Sequence, residues 1–383
     1  MHSSAQPLRD AVVVISDLVQ DRSDFPEASE PVFESNTAGD VSVEGGYLER
    51  LPLALVRAGR ARFAEIWHHH RGEAITARRD NAALARRAFP GSGGPPFHSD
   101  AMVEFIHRHG APRILCVLGL GVSEAVLEAC GESLILYNSI DVPALRVPAE
   151  ISRHFDLVIT GADWQSADVR ARHPHMPTLV LPIGPDFASP ETFFPIPGPK
   201  PYDLIYVAAA QPYKRHDILF AALQRSPRPL RALCVMGYGD DGDRLRHEAH
   251  ALGLAVDFVG PPGVPHAEVN RLMNTAKIGV VCGENDGAPA ILTEYMLAGL
   301  PVVANAALRC GLDYIRPETG LAAPADRFEH AIIEALACAD FTPRQTVLDH
   351  WAWPHSVRHL GAAIDALHPA PVPMQPDLMD ISA

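Results

Sequence analysis

Residues 283–304 read Gly-Glu-Asn-Asp-Gly-Ala-Pro-Ala-Ile-Leu-Thr-Glu-Tyr-Met-Leu-Ala-Gly-Leu-Pro-Val-Val-Ala, with two carboxylates, Asp286 and Glu294, around a turn of small residues. Pro289 suits the first turn of a helix, where its missing N–H would have had no partner. The amides of Gly287, Ala288 and Ala290 are then expected at the positive end of that helix, free to hold an anion. Glu294 falls about five residues further in, roughly 8 Å along the axis at about 1.5 Å per residue. That offset suits the step from a phosphate to a ribose, with amides on the first and a carboxylate on the second.

The same run resembles the acid-x7-acid motif of the retaining GT-B glycosyltransferases, whose usual form is Glu-Gly-x-Pro, four residues, Glu, then Ala-x-Gly-x-Pro-Val-Val. Here it stands as Asp286-Gly287-Ala288-Pro289, Glu294 and Ala298-Gly299-Leu300-Pro301-Val302-Val303, with Asp in place of the first Glu. The resemblance implies that Asp286 and the amides of Gly287 and Ala288 hold the donor sugar and its phosphate, and that Glu294 holds the ribose.

It extends through much of the C-terminal half. Residues 207–219 resemble the strand, loop and helix start where the superfamily places Gly-Arg, a short gap and Lys-Gly. Lys214 falls on the phosphate-binding Lys, Ala209 or Ala210 stands where the Arg would be, and Arg215 is the candidate replacement. Cations there would stabilise the charge that a departing diphosphate develops. Gly237-Tyr238-Gly239 resembles the Gly-x-Gly loop near the base, and Phe258-Val259-Gly260-Pro261 the turn whose backbone faces it. Asp240, Asp241 and Asp243 open a helix, where negative charge is favoured, and read as caps rather than metal ligands.

In the N-terminal half, Glu44-Gly45-Gly46-Tyr47 before an amphipathic stretch resembles the Gly-Gly helix start that approaches the donor phosphates. The superfamily often offers a His to the donor sugar, but Gly119-Leu120-Gly121 stands in that region. Asn138, Ser139 and Asp141, after the next strand, are possible replacements, with Asn138 and Asp141 also candidates for the acceptor. His68-His69-His70 alternate faces on a strand and cannot easily converge on a metal. They read as a strand end at a cleft rim, with His69 toward the acceptor. The long segment 17–43 is expected to shape the acceptor site.

These residues need a scaffold, and 383 residues suffice for two domains of ordinary size. Strand-like runs at 11–16, 63–68, 113–118, 133–137, 157–160 and 178–181 alternate with helical patterns at 45–58, 99–109, 122–130, 144–154 and 163–170. The pattern restarts with strands at 203–208, 230–236, 256–259, 278–282 and 301–304, and helices at 214–224, 241–252, 266–275, 289–298 and 328–339. Such alternation predicts doubly wound α/β units. The expected organisation is an acceptor domain over 1–183, a Pro/Gly-rich linker over 184–201 and a donor domain over 202–354. A helix over 355–368 would return to the first domain, followed by a disordered tail over 369–383. With the resemblance, the fold class implied is α/β GT-B, two facing Rossmann-like domains with the site in the cleft between them.

Composition narrows the partners. A net charge of −14 argues against nucleic acid, which needs a basic footprint, and against docking on anionic lipid. No apolar run approaches the ~18 residues of a membrane span, and no secretory signal is expected. Six scattered cysteines lack metal-ligand spacing and read as reduced thiols of a cytoplasmic protein. Of 32 basic residues only Lys200, Lys214 and Lys277 are lysines. The function that the resemblance implies is retaining, metal-independent transfer of a sugar from a nucleotide diphosphate donor to an acceptor hydroxyl. A UDP-sugar is the expected co-substrate, and no cofactor or metal is expected. A GT-B-fold epimerase-like enzyme and a non-catalytic partner subunit are the alternatives.

Overall fold

A computed structural model of the chain describes residues 8–20 and 40–367. The apolar runs form two separate sheets. The first contains β1 (Ala11–Gln20), β2 (Phe63–His70), β3 (Thr76–Arg79), β4 (Leu84–Pro90), β5 (Ile114–Leu118), β6 (Leu134–Asn138), β7 (Leu157–Thr160) and β8 (Thr178–Val180). Their order is β3-β4-β2-β1-β5-β6-β7-β8, and only β3 runs antiparallel to its neighbour. The second sheet is wholly parallel, with β9 (Tyr202–Val207), β10 (Ala232–Val235), β11 (Val256–Val259), β12 (Ala276–Val281), β13 (Val302–Asn305) and β14 (Gly320–Ala323) in the order β11-β10-β9-β12-β13-β14.

Parallel strands must be covered on both faces, and the cores show it. Val12 and Val14 of β1 enter one core, and Val13 and Ile15 the opposite one. Helix α1 (Tyr47–Arg57) packs on the first face, and α2 (Asp100–His109) and α3 (Glu124–Ala129) on the second. Around the second sheet, α6 (His216–Arg225), α7 (Gly242–Ala251) and α10 (Phe328–Ala337) share one core. The helices α8 (His266–Met273), α9 (Ile291–Leu297) and α11 (Pro343–His350) share the other. Two short helices, α4 (Ala149–Ser152) and α5 (Asp163–Arg172), complete the first unit.

The proline-rich connection is a packed element rather than a loose strap. Phe187 enters the first unit's core and Phe193 the second's, while Asn270 and Asn274 accept the amides of Phe194 and Ile196 at 3.2 and 2.7 Å. The closing helix α12 (Trp353–Leu367) returns to the first unit, where Val357, Leu360 and Ile364 join the core beneath α1. None of the helices among the described residues is long and apolar enough to cross a membrane. Most of segment 17–43, and the tail from 368, lie outside the described residues.

Several sequence expectations are corrected. Strands β3 and β4 are absent from the periodicity because their sequences, Thr-Ala-Arg-Arg and Leu-Ala-Arg-Arg-Ala-Phe-Pro, carry arginines. Arg87 is nevertheless buried, with Glu65 of β2 accepting from it at 3.1 and 3.2 Å. The helix expected over 144–154 shrinks to α4, since Pro148 takes the N-cap position and cannot continue a helix backwards. Strand β14 and helix α11 also went unread.

A candidate active site in the interdomain cleft

A cleft of about 470 Å³ lies between the two units, within the range of small-molecule sites. In the second sheet, chain order reverses between β9 and β12, and ligands of open α/β sheets bind beyond the strand ends at such a point. Val207, Ala208 and Ala209 after β9, and Asp286 to Ile291 after β12, line the cleft there. The first unit supplies Tyr47 at the start of α1 and Asn138 to Asp141 at the end of β6.

The motif around Asp286 differs in detail from a simple helix start. Ala288 has φ 73°, a left-handed conformation that costs an L-residue roughly 1–2 kcal/mol. The helix therefore begins at Ile291 with Ala290 as N-cap, so Pro289 stands ahead of the first turn and Glu294 is the fourth helical residue. Gly287 lies against the first unit, where a Cβ would collide with the Ile140 carbonyl. The turn thus forms cleft floor and interdomain contact at once.

Lys214 ends a 3-10 turn (Pro212–Lys214) after β9. Its Nζ is ion-paired with Oδ2 of Asp286 and lies 4.9 Å from the Tyr213 ring centroid. Its neighbour Arg215 turns away and does not line the cleft. The Arg215 guanidinium is held by Asp217, at 2.9 Å, and by Glu284; these carboxylates hold its pKa above the usual arginine value. A diphosphate in the cleft would meet Lys214 and not Arg215.

Glu294 is 8% exposed and lines the cleft. Its Oε1 accepts from Nη2 of Arg50 at 2.6 Å. Arg50 is a fully buried residue of α1 and belongs to the other unit.

The remaining candidates divide. Gly237 lines the cleft, as do Asn138, Ser139 and Asp141. Oδ1 of Asn138 is buried without a partner among the described residues, and Asp141 pairs with Arg146 at 3.1 Å. Gly239 is packed over the Ala210 carbonyl, and the Gly260 carbonyl accepts from Arg246, so neither these two glycines nor Pro261 lines the cleft. Gly45 and Gly46 sit around a neighbouring cavity of about 370 Å³ near His266. The Gly46 amide is already satisfied by Oε2 of Glu49 at 2.7 Å, a carboxylate of the first turn that reaches back over the start of α1. His69 is not at a cleft rim: β2 continues through His70, and the His69 ring is buried beside Phe97. Burial pushes its pKa down to about 4. Asp241, expected to cap α7, makes no side-chain cap and pairs with Arg244 at 2.9 Å.

Sequence reading missed Tyr47, Tyr213, Tyr238 and Arg50. The three tyrosines line the cleft, and each adjoins a residue that had been singled out. Asp17, in the register irregularity of β1, packs on Gly119, and burial together with Asp141 raises its pKa. Among the described residues no group of three His, Cys, Asp or Glu could hold a metal ion.

Residues 190–344 match the family of glycosyl transferases group 1. The match spans most of the second unit. Solved structures extend the likeness to both units. Sucrose-phosphate synthase from Thermosynechococcus elongatus is 17% identical with a TM-score of 0.66, over 94% of this chain and 99% of that one. Anabaena HepE, solved with UDP and glucose, is 14% identical with a TM-score of 0.62, over 93% and 99%. The lipopolysaccharide outer core galactosyltransferase WaaB is 14% identical with a TM-score of 0.60, over 93% and 99%. No curated protein sequence matches the chain. The fold is GT-B, and the matched region contributes Lys214, Asp286 and Glu294 to its cleft.

Proposed function

We propose that the protein is a retaining, metal-independent glycosyltransferase that moves a sugar from a nucleotide diphosphate donor to an acceptor hydroxyl. The observation that carries the reading is the convergence of Lys214, Asp286, Gly287, Ala288 and Glu294 on one cleft, faced by Tyr47, Asn138 and Asp141 of the other unit. HepE, with its bound UDP and glucose, supports a UDP-sugar as the donor.

In this reading Glu294 accepts the ribose hydroxyls and Lys214 meets the diphosphate. The Lys214 pair uses Oδ2 of Asp286, which leaves Oδ1 for a sugar hydroxyl. The acceptor oxygen bonds to the anomeric carbon on the face from which the phosphate oxygen departs, and that oxygen takes the acceptor's proton. Configuration is retained. The leaving diphosphate gains negative charge as its bond to the sugar breaks, and Lys214 is placed to offset it. Orientation supplies much of the remainder.

The test is a transfer and hydrolysis assay over UDP-, GDP-, TDP- and ADP-sugars, with and without EDTA, and with the product's anomeric configuration read by proton NMR. Wild type should turn over one donor class in EDTA with retention, and Glu294→Ala and Lys214→Ala should each lose most of that activity. An inverted product or loss in EDTA would sink the finer reading, and no turnover of any donor would sink the enzyme.

A further inference from the structure

Arg50 is the least expected residue near the site. It sits in the apolar sequence of α1, Tyr-Leu-Glu-Arg-Leu-Pro-Leu-Ala-Leu-Val-Arg, and is fully buried. A guanidinium is costly to bury unless its donors are used. Nε donates to the Gly45 carbonyl at 2.8 Å, Nη2 donates to Oε1 of Glu294 at 2.6 Å, and the Phe193 ring centroid lies 5.3 Å from Cζ. Nη1 has no partner. The group is thus anchored at one end to the first unit's backbone and at the other to a single oxygen of a cleft carboxylate.

From this geometry we infer that Arg50 is a positioning residue: it fixes the Glu294 carboxylate so that Oε2 meets the donor's ribose hydroxyls, and does so only while the two units are closed. The inference rests on the donor reading given above, in which Glu294 holds the ribose. Three observations carry it. The pair joins α1 to α9, so any opening of the cleft must break it. Arg50 itself does not line the cleft, whereas Glu294 does, so Arg50 can reach a ligand only through Glu294. Oε1 is the atom occupied, and among the described residues no protein donor is paired with Oε2. Without Arg50, a carboxylate on a one-turn-deep helical position would keep its rotamer freedom and its alternative hydrations. With it, the acceptor lone pairs are pre-oriented, which is how a supporting residue raises affinity without touching the ligand.

A purely structural ion pair would give the same picture at rest, so the experiment must isolate the ribose. Binding of UDP, GDP and ADP is measured by calorimetry, and the tightest is compared with its 2′,3′-dideoxy analogue in wild type, Glu294→Ala, Arg50→Met and Arg50→Lys. Wild type should prefer the ribose form by about tenfold, the factor that one charge-assisted hydrogen bond typically carries. Arg50→Met should lose that preference while binding the dideoxy analogue within about twofold of wild type. Arg50→Lys, which keeps one donor for Oε1, should retain part of it and carries the test if the methionine variant does not fold. Equal loss for both ligands in Arg50→Met and Arg50→Lys would make Arg50 a structural tie only. Loss of the preference in Glu294→Ala with full retention in the Arg50 variants would overturn Arg50 alone. Retention in Glu294→Ala, or no binding by wild type, would overturn the donor reading itself.

Discussion

Nζ of Lys214 donates to Oδ2 of Asp286 across the floor of the cleft, each side chain only 15% exposed. The cation expected at the diphosphate and the acid expected at the sugar are therefore one unit. Removing either releases the other into a partly desolvated site, so their effects should not add. We expect Lys214→Ala and Asp286→Ala each to lower kcat by roughly 10²–10³-fold, the usual cost of one charge-stabilising group. The double variant should fall within about threefold of the worse single one. Steady-state kinetics of the three purified variants decide it, and additive losses would mean that the two side chains act separately.

Gly287 offers a test of closure that leaves the charges intact. An added methyl group would strike the Ile140 carbonyl of the other unit, which is backbone and cannot rotate away. Gly287→Ala should therefore hold the units apart rather than unfold either. The expected outcome is a larger radius of gyration by small-angle scattering and a loss of transfer of at least tenfold, with Tm changed by little. Unchanged scattering with full activity would show that the contact yields.

How much of this was legible depended on which force set each residue. Asp286, Glu294 and Lys214 line the cleft, and backbone geometry and charge at their strand-to-helix turns leave a local signature in the sequence. Arg215 lies outside the cleft, held by Asp217 two residues on, a local partner, and by Glu284, whose place beside it only the tertiary structure reveals. Gly46 reads as a bare helix start in sequence, yet Glu49 three residues on supplies a carboxylate that can reach back to its amide. Arg50 carried a weaker signal, a charge inside an apolar helical run, whose meaning depends on a partner in the other unit. Strand β4 is hidden in the sequence because arginine reads as surface until Glu65 and Glu49 are seen to meet Arg87 and Arg86, and β3 because its two arginines are exposed.

Three histidines should set the acid limb of stability. His68, His69 and His216 are buried, and burial pushes each pKa down to about 4, against an unfolded value of about 6.5. Their folded values lie below the unfolded ones, so this stability is present above about pH 6.5 and is lost as pH falls toward 4. Each contributes on the order of 3 kcal/mol when fully expressed. His69→Phe, beside Phe97, should flatten the fall of Tm between pH 6.5 and 5. A variant whose Tm falls as steeply as wild type would show that His69 is not the titrating group.

Asp186 acts in the opposite direction. It lies in the connection between the units, 7% exposed, and Tyr314 donates a hydrogen bond to it at 2.9 Å. Burial pushes its pKa up to about 7 from an ordinary value of 3.8. The folded value exceeds the unfolded one, so this stability is complete below about pH 4 and is lost as pH rises through 7. Around the same cavity of about 360 Å³ stand His350, His355, His359 and Asp313. Asp186→Asn stays neutral at every pH and can still accept from Tyr314. It should raise Tm most at pH 8, and the gain should shrink toward zero as pH approaches 4. Differential scanning calorimetry across pH 4 to 8 tests this, and a gain independent of pH would show that Asp186 is already ionised in the folded protein.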